Sequence, residues 1–281
     1  MGEYLRPQSL SEALAALAAG RWLVLAGGTD VYPAHVRCPL DEPVLDLTGI
    51  EGLRGIEERA DHWRLKALTT WSDLIAAPLP PLFDGLKQAA REVGGVQIQN
   101  AGTLVGNVYN AAPAADGVPC LLALDAEVEV TAADGVRRLS IGAFITDVRR
   151  TVRQPSEIVT ALIVPKPRAP QACTHFSKFG ARRYLVISIV MVAIGLEVEV
   201  GGRIAEARIA IGACSPVACR LPALEDSLKG QVLSGALAQL PYVDHLVPLA
   251  PIDDIRGDAA YRLDTALTLI RRGLAELGGR A

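Results

Sequence analysis

The sequence predicts a mixed α+β chain in two parts, with a boundary near residue 170. Three observations carry this. Short helical and extended runs alternate through the first part and are broken by glycine turns. Pro165, Pro167 and Pro170 then fall in a short Lys/Arg-bearing stretch between Val164 and Cys173, which reads as a linker. Beyond it lie two long β-rich runs and a long helical stripe.

Taken in order, Ser9 and Glu12 have the spacing of a capping box, where serine hydroxyl and glutamate satisfy orphan amides reciprocally. Leu10, Leu14 and Leu17 fall on one face of the helix that follows, and Gly20 ends it. Residues 22–26 are an apolar run suited to a buried strand, cut off by Gly27, Gly28, Thr29 and Asp30. Residues 43–47 and the alternating run 63–68 read as strands. Thr70 or Ser72 is placed to cap the next helix, and residues 81–93 form another, closed by Gly94 and Gly95. Residues 94–119 read as a long irregular segment that runs into a helix around 118–124. Such a segment inside a compact protein is functional or disordered, and this one is neither highly charged nor of low complexity, which favours function. Residues 127–131, the Asp134–Gly135 turn and a returning strand make a hairpin. After the linker, residues 190–200 and 204–211 join through Gly201 and Gly202 as a long antiparallel hairpin. Residues 221–228 and 231–240 read as helices. Ala259, Leu263, Ala266, Leu267, Ile270 and Leu274 mark a helical stripe over 258–277.

Composition narrows the function. Half the residues are hydrophobic and 21% are charged, so material for a core is ample. A net charge of -3 and an aromatic content of 5% make no electrostatic or stacking case for nucleic acid. Cys38, Cys120, Cys173, Cys214 and Cys219 are scattered, and only Cys214 and Cys219 lie close together. They read as small thiols in a reducing compartment rather than as zinc or iron–sulfur ligands. His35, His62, His175 and His245 lack metal-ligand spacing, so no metal is expected. The first apolar stretch, 10–19, is broken by Ser11 and Glu12 as a signal peptide's would not be, and the longest apolar run, 187–196, is far shorter than the about 20 residues that span a bilayer. A cytoplasmic protein is the expectation.

Two glycine-rich segments stand out. Ala26, Gly27, Gly28, Thr29 and Asp30 follow a strand, and glycine there permits positive φ and close approach of a ligand. Successive amides in such a turn can cradle an anion, with a pyrophosphate as the natural guest. The alternative is a plain strand-to-helix turn. The turn has neither the third glycine of a Rossmann fingerprint nor the Gly-Lys-Ser/Thr of a P-loop. The second segment, residues 100–107 (NAGTLVGN) followed by 109–116 (YNAAPAAD), brings donors at Thr103, Asn107 and Asn110, free backbone at Gly102 and Gly106, and a carboxylate at Asp116. Donors suit phosphate oxygens, and an acceptor-only carboxylate suits ribose hydroxyls or an adenine amino group. A dinucleotide fits that mixture better than a bare phosphate; a glycine-rich surface loop is the alternative.

These two segments resemble the FAD-contacting motifs of the flavin subunits of molybdenum hydroxylases, the xanthine dehydrogenase and carbon monoxide dehydrogenase type. The resemblance continues through residues 119–128, residues 178–183 with Ile187 and Ser188, and residues 254–262, and so covers nearly the whole chain in order. It implies a PCMH-type FAD-binding fold of two small α/β subdomains, residues 1–55 and 56–168. A C-terminal flavoprotein domain of antiparallel sheet backed by helices, residues 169–281, would follow. It implies FAD contacts at Ala26, Gly27, Gly28, Thr29, Asp30, Val31, Gly102, Thr103, Gly106, Asn107, Tyr109 and Asn110. Asp116 matches a residue that holds a sugar hydroxyl, Lys178 a lysine near the flavin ring, and Ile158 or Val159 an apolar contact. The molybdenum cofactor and the [2Fe–2S] clusters would belong to a large and a small partner subunit, in a dimer of heterotrimers. Electrons would pass from the clusters through FAD to an external acceptor, with no side chain of this subunit as a catalytic acid or base. Two positions depart from the pattern: Val105 stands where relatives commonly have glycine, and Val186 where some have a ring-covering aromatic, with Tyr184 nearby. A stand-alone flavin oxidase or reductase, and a scaffold subunit that has lost its flavin, are the other readings.

The remaining candidates have plainer explanations. Arg182 and Arg183 either neutralise reduced flavin or pair at the surface. Asp253, Asp254 and Arg256 read as a helix-start cap with a local ion pair. Ser215 lacks a nearby histidine and acid, and Trp22, Trp63 and Trp71 read as core or interface.

Overall fold

The computed structural model of the chain describes residues 2–37, 39–183 and 185–279. Cys38 and Tyr184 lie outside the described residues. Among the described residues three larger sheets, a two-stranded ribbon of Ile145–Asp147 and Arg150–Thr151, and the helices between them build the fold. A parallel sheet has the spatial order Tyr4–Leu5, Val44–Asp46, Leu23–Leu25. An antiparallel sheet has the order Ile56–Glu58, His62–Lys66, Ile158–Pro165, Glu127–Ala132, Gly135–Ser140. A second antiparallel sheet has the order Gln171–Phe179, Val190–Val198, Ile204–Gly212, Cys219–Arg220. The α+β class read from the sequence is the class observed.

Local signals placed many elements. Helix Leu10–Ala19 starts at Ser9, whose hydroxyl accepts the Glu12 N–H at 3.2 Å. The Glu12 carboxylate turns back to the Gln8 N–H at 2.9 Å, one residue before the partner that a capping box would use. Thr70, rather than Ser72, caps helix Trp71–Ala76, and Asp73 completes a capping box there. The two long strands of the C-terminal hairpin and the helix Ala259–Gly278 lie where their periodicities put them.

Three readings need correction. Residues 94–119 are not one irregular stretch: they hold helices Val96–Ala101 and Leu104–Asn110 before Gly117–Ala123. The first two are too short to show an apolar period, and neighbours hold them: the Leu104 N–H donates to the Thr69 carbonyl at 3.1 Å and the Trp71 N–H to that of Gly102 at 3.2 Å. Residues 231–240 contain only a 3-10 turn, Gly235–Gln239. Their backbone is already spent on the sheet, since the Gln231 carbonyl accepts from Ile204 and the Leu233 N–H donates to Gly202. Strand Ile158–Pro165, read from sequence only as an apolar contact, is the middle of the five-stranded sheet and is buried up to Val164.

One strand shows how the parts are joined. Val190–Val198 is buried along its full length. Met191 and Ala193 belong to the core of the first part, while Val190, Val192, Ile194, Leu196 and Val198 belong to a second core under the C-terminal helix. Its sheet is thus covered on both faces, by Asp84–Glu92 and Gly117–Ala123 on one and by Ala259–Gly278 on the other. Gly195 makes the first contact possible, because a side chain there would run into the Ala123 carbonyl. On the other face Arg262 is fully buried and spends its guanidinium on the carbonyls of Ile189, Ala213 and Ile252 and on the Asp254 carboxylate.

Candidate functional site

The two glycine segments meet. Gly28 has φ +70, which a residue with a side chain rarely adopts, and the Tyr32 ring lies over it. Gly27 abuts the second segment so closely that a Cβ would land on the Ala101 carbonyl. Gly102, in turn, has the Ile98 carbonyl, the Thr29 hydroxyl and the Trp71 ring around its missing side chain. Close backbone approach is therefore the reason for glycine at these positions.

A cavity of about 470 Å³ opens along this junction. All the residues expected at the cofactor line it except Asp116 and Lys178: Ala26, Gly27, Gly28, Thr29, Asp30, Val31, Gly102, Thr103, Gly106, Asn107, Tyr109, Asn110 and Ile158 are all in its wall. Val159, the neighbour weighed beside Ile158, is there too, and so is Val105. Trp71 is nearly fully buried and also lines the cavity, so it is core and cavity wall at once; Trp63 packs edge-on against Phe83 in the core.

The polar groups are set by local bonds. Thr103 caps helix Leu104–Asn110, its oxygen accepting the Gly106 N–H at 3.0 Å, which leaves the hydroxyl proton to donate. The Asn107 Oδ1 accepts the Gly117 N–H at 3.1 Å, and the Asn110 Oδ1 accepts from Arg149 Nη1 at 2.9 Å. Both amide nitrogens thus remain donors, as phosphate or hydroxyl oxygens require.

Asp116 and Lys178 stand together outside the cavity wall. Lys178 Nζ donates to Asp116 Oδ2 at 2.6 Å and to the Glu92 carbonyl at 3.4 Å, and the Ser188 hydroxyl donates to Asp116 Oδ1 at 2.8 Å. Both side chains are buried. Burial raises the Asp116 carboxyl above its usual range, against the opposing pull of Lys178 and the Ser188 hydroxyl. The sequence named both residues but carried no signal that they would pair across sixty-two positions.

Other candidates resolve simply. Asp254 pairs with Arg256 at 2.6 Å and with Arg262 at 2.7 Å, and Asp253 accepts the Ala259 N–H at the helix start. Arg182 donates to the Leu185 carbonyl. Ser215 bonds only backbone, and its neighbour Cys214 is pushed by burial to about 12; burial also raises Cys120 well above the usual thiol range. Among the described residues no cluster of His, Cys, Asp and Glu could hold a metal ion.

Residues 1–167 match the family model described as the FAD binding domain in molybdopterin dehydrogenase. The chain belongs to this family. Residues 175–277 match the CO dehydrogenase flavoprotein C-terminal domain. The nicotine 6-hydroxylase medium subunit of Paenarthrobacter nicotinovorans is 29% identical to this flavoprotein over 280 residues, 99% of this chain and 97% of that one. A putative xanthine dehydrogenase FAD-binding subunit of Escherichia coli K12 is 28% identical over 278 residues, 97% and 94% of the two chains. Among solved structures, reconstituted CO dehydrogenase from Oligotropha carboxidovorans superposes with a TM-score of 0.90 at 26% identity, covering 100% of this chain and 99% of that one. Quinoline 2-oxidoreductase from Pseudomonas putida 86 gives 0.88 at 25% identity, covering 100% and 98%. The protein is accordingly an FAD-binding medium subunit of the molybdenum hydroxylase type, an oxidoreductase component. The cavity fits that cofactor: close-approach glycines, neutral donors and an apolar wall suit a dinucleotide with a flat ring system.

Proposed function

We propose that the chain holds FAD in this cavity as the electron-transferring subunit of a heterotrimer. Electrons pass from [2Fe–2S] clusters of a small partner subunit through FAD to an external acceptor, while a large partner subunit carries the molybdenum cofactor. The subunit's own contribution is binding, orientation and electrostatics. Gly27, Gly28, Gly102 and Gly106 give access to backbone amides. Thr29, Thr103, Asn107 and Asn110 donate to oxygens, and Ala26, Val31, Tyr109 and Ile158 bound the ligand. Asp30 stands at the exposed end of the first turn. Asp116 and Lys178, outside the cavity wall, are the buried pair that ties the end of the second glycine segment to the C-terminal sheet. We divide the chain into residues 1–55, 56–168 and 169–281, and take the complex to be a cytoplasmic dimer of heterotrimers. Among the described residues no helix is long and apolar enough to cross a membrane.

The observation that carries this reading is the meeting of the two glycine segments, through Gly27 and the Ala101 carbonyl, on the wall of one cavity. Its test is the absorption spectrum of the purified chain before and after denaturation, with the released chromophore identified. FAD at close to one per chain is the expected result. A colourless protein that takes up no FAD, even with its partner subunits present, overturns it.

A further inference from the structure

Among the expected contacts that line the cavity, every side-chain donor is neutral, since Lys178 stands outside the wall paired with Asp116, and the one acidic residue, Asp30, brings no donor. A diphosphate brings negative charge into the cavity, and moving it out of water onto neutral donors alone is unfavourable. The compensating groups lie elsewhere on the same wall.

Among the described residues that line the cavity, Arg149 and Arg153 are the only arginines or lysines. Among the described residues neither makes a salt bridge, although the Arg137 hydrogen bond lowers the Glu157 carboxyl and the charge of Arg153 adds to that pull. Arg149 donates to the neutral Asn110 Oδ1 at 2.9 Å. Arg153 donates to the carbonyls of Pro155 and Glu157 at 3.2 and 2.7 Å and lies 5.3 Å from the centre of the Tyr109 ring. The carboxylate of Glu157, which also lines the cavity, is held by Arg137 through bonds of 2.7 and 2.8 Å. Arg149 is also held by its backbone, at φ 54 with its N–H on the Ala111 carbonyl at 2.9 Å. A guanidinium built into place without a carboxylate is a receptor for an anion. An independent observation points the same way. His35, just past the first glycine turn, lines the cavity with its Nδ1 buried and without a hydrogen-bond partner among the described residues. A buried polar atom on a cavity wall with nothing to bond awaits its partner from the ligand.

We propose that Arg149, Arg153 and His35 hold the diphosphate-bearing half of the flavin nucleotide and make this cavity select phosphorylated flavin over riboflavin. This rests on the flavin reading above. The glycine turns then supply shape and neutral donors, and the three side chains supply the charge and the polar contact that the turns lack.

The experiment titrates the full-length apoprotein with FAD and with riboflavin, following flavin fluorescence, for the wild type and for Arg149→Ala, Arg153→Ala and His35→Ala. Arg149→Lys and Arg153→Lys are included to keep the charge. Wild-type binding of FAD tests the flavin reading itself, independently of the variants. The proposal expects FAD binding to weaken at least tenfold in each alanine variant while riboflavin binding stays within twofold. It expects the salt dependence of FAD binding to become shallower in the arginine variants, and the lysine variants to recover part of the loss. Equal weakening for FAD and riboflavin overturns it, because the residues would then shape the cavity or touch the ring. Unchanged FAD binding overturns it as well. Unfolding midpoints of the apo variants identify any that fail to fold, and for these the lysine variants decide.

Discussion

At the residue scale, the site depends on atoms that are missing. Gly27 exists because its neighbour's carbonyl occupies the space of a side chain, so Gly27→Ala must push the turn away from residues 101–102. The expected result is a weakening of FAD binding of about tenfold in Kd, equivalent to about 1.4 kcal/mol, seen as a lower flavin content. Flavin content equal to wild type in that variant would mean the turn does not contact the ligand. Asp254 gives a second residue-scale prediction. Its bonds to Arg256 and the neighbouring Arg262 lower its carboxyl from 3.8 to about 2. A lowered carboxylate contributes stability that is present above its ordinary value and lost as pH falls through the lowered one. The difference in unfolding midpoint between wild type and Asp254→Asn should therefore hold above about pH 4 and shrink towards pH 2. A difference that persists undiminished at pH 2 contradicts the pairing.

At the element scale, the sheet of Gln171–Phe179, Val190–Val198 and Ile204–Gly212 is gripped between helices on its two faces. Gly195 lets Gly117–Ala123 lie against it, and Gly273 does the same for the C-terminal helix against Ile194 and His175. Gly195→Ala forces a methyl into backbone that cannot rotate out of the way, and a loss of about 1–3 kcal/mol is expected. Urea unfolding checks it, with an unchanged midpoint as the contrary outcome. Residues 94–119 make the same point from the other side. Short helices there have no stability of their own and form because the Thr69 carbonyl accepts the Leu104 N–H and the Trp71 N–H donates to the Gly102 carbonyl between them.

At the scale of the whole molecule, the buried Asp116–Lys178 pair ties the helical segment beside the cavity to the first strand of the C-terminal sheet. Lys178→Ala leaves a carboxylate buried without its counter-ion, for which a loss of about 3–5 kcal/mol is expected. The double variant Asp116→Asn, Lys178→Met removes both charges and should recover most of it, measured by the same unfolding curves. A loss below about 1 kcal/mol for Lys178→Ala would place the pair in water instead. Because the pair lies beside the cavity, loosening it should also lower flavin retention.

The α+β class, the two glycine segments, the hairpins and the long helix were legible in the sequence, because each is announced by neighbours a few positions apart: a cap, an alternation, a glycine at a turn. Most of the cavity wall was legible as well, since the lining residues from Gly27 to Val31 and from Gly102 to Asn110 come from two short stretches of the chain. What the tertiary structure decided is everything that joins distant positions. Strand Ile158–Pro165 became the centre of a sheet through pairing with segments far earlier in the chain. Asp116 found Lys178, and Arg149, Arg153 and His35 came to the cavity without any motif to mark them. A local pattern reports how one stretch buries its own apolar face, whereas the meeting of stretches is set by how those faces pack together.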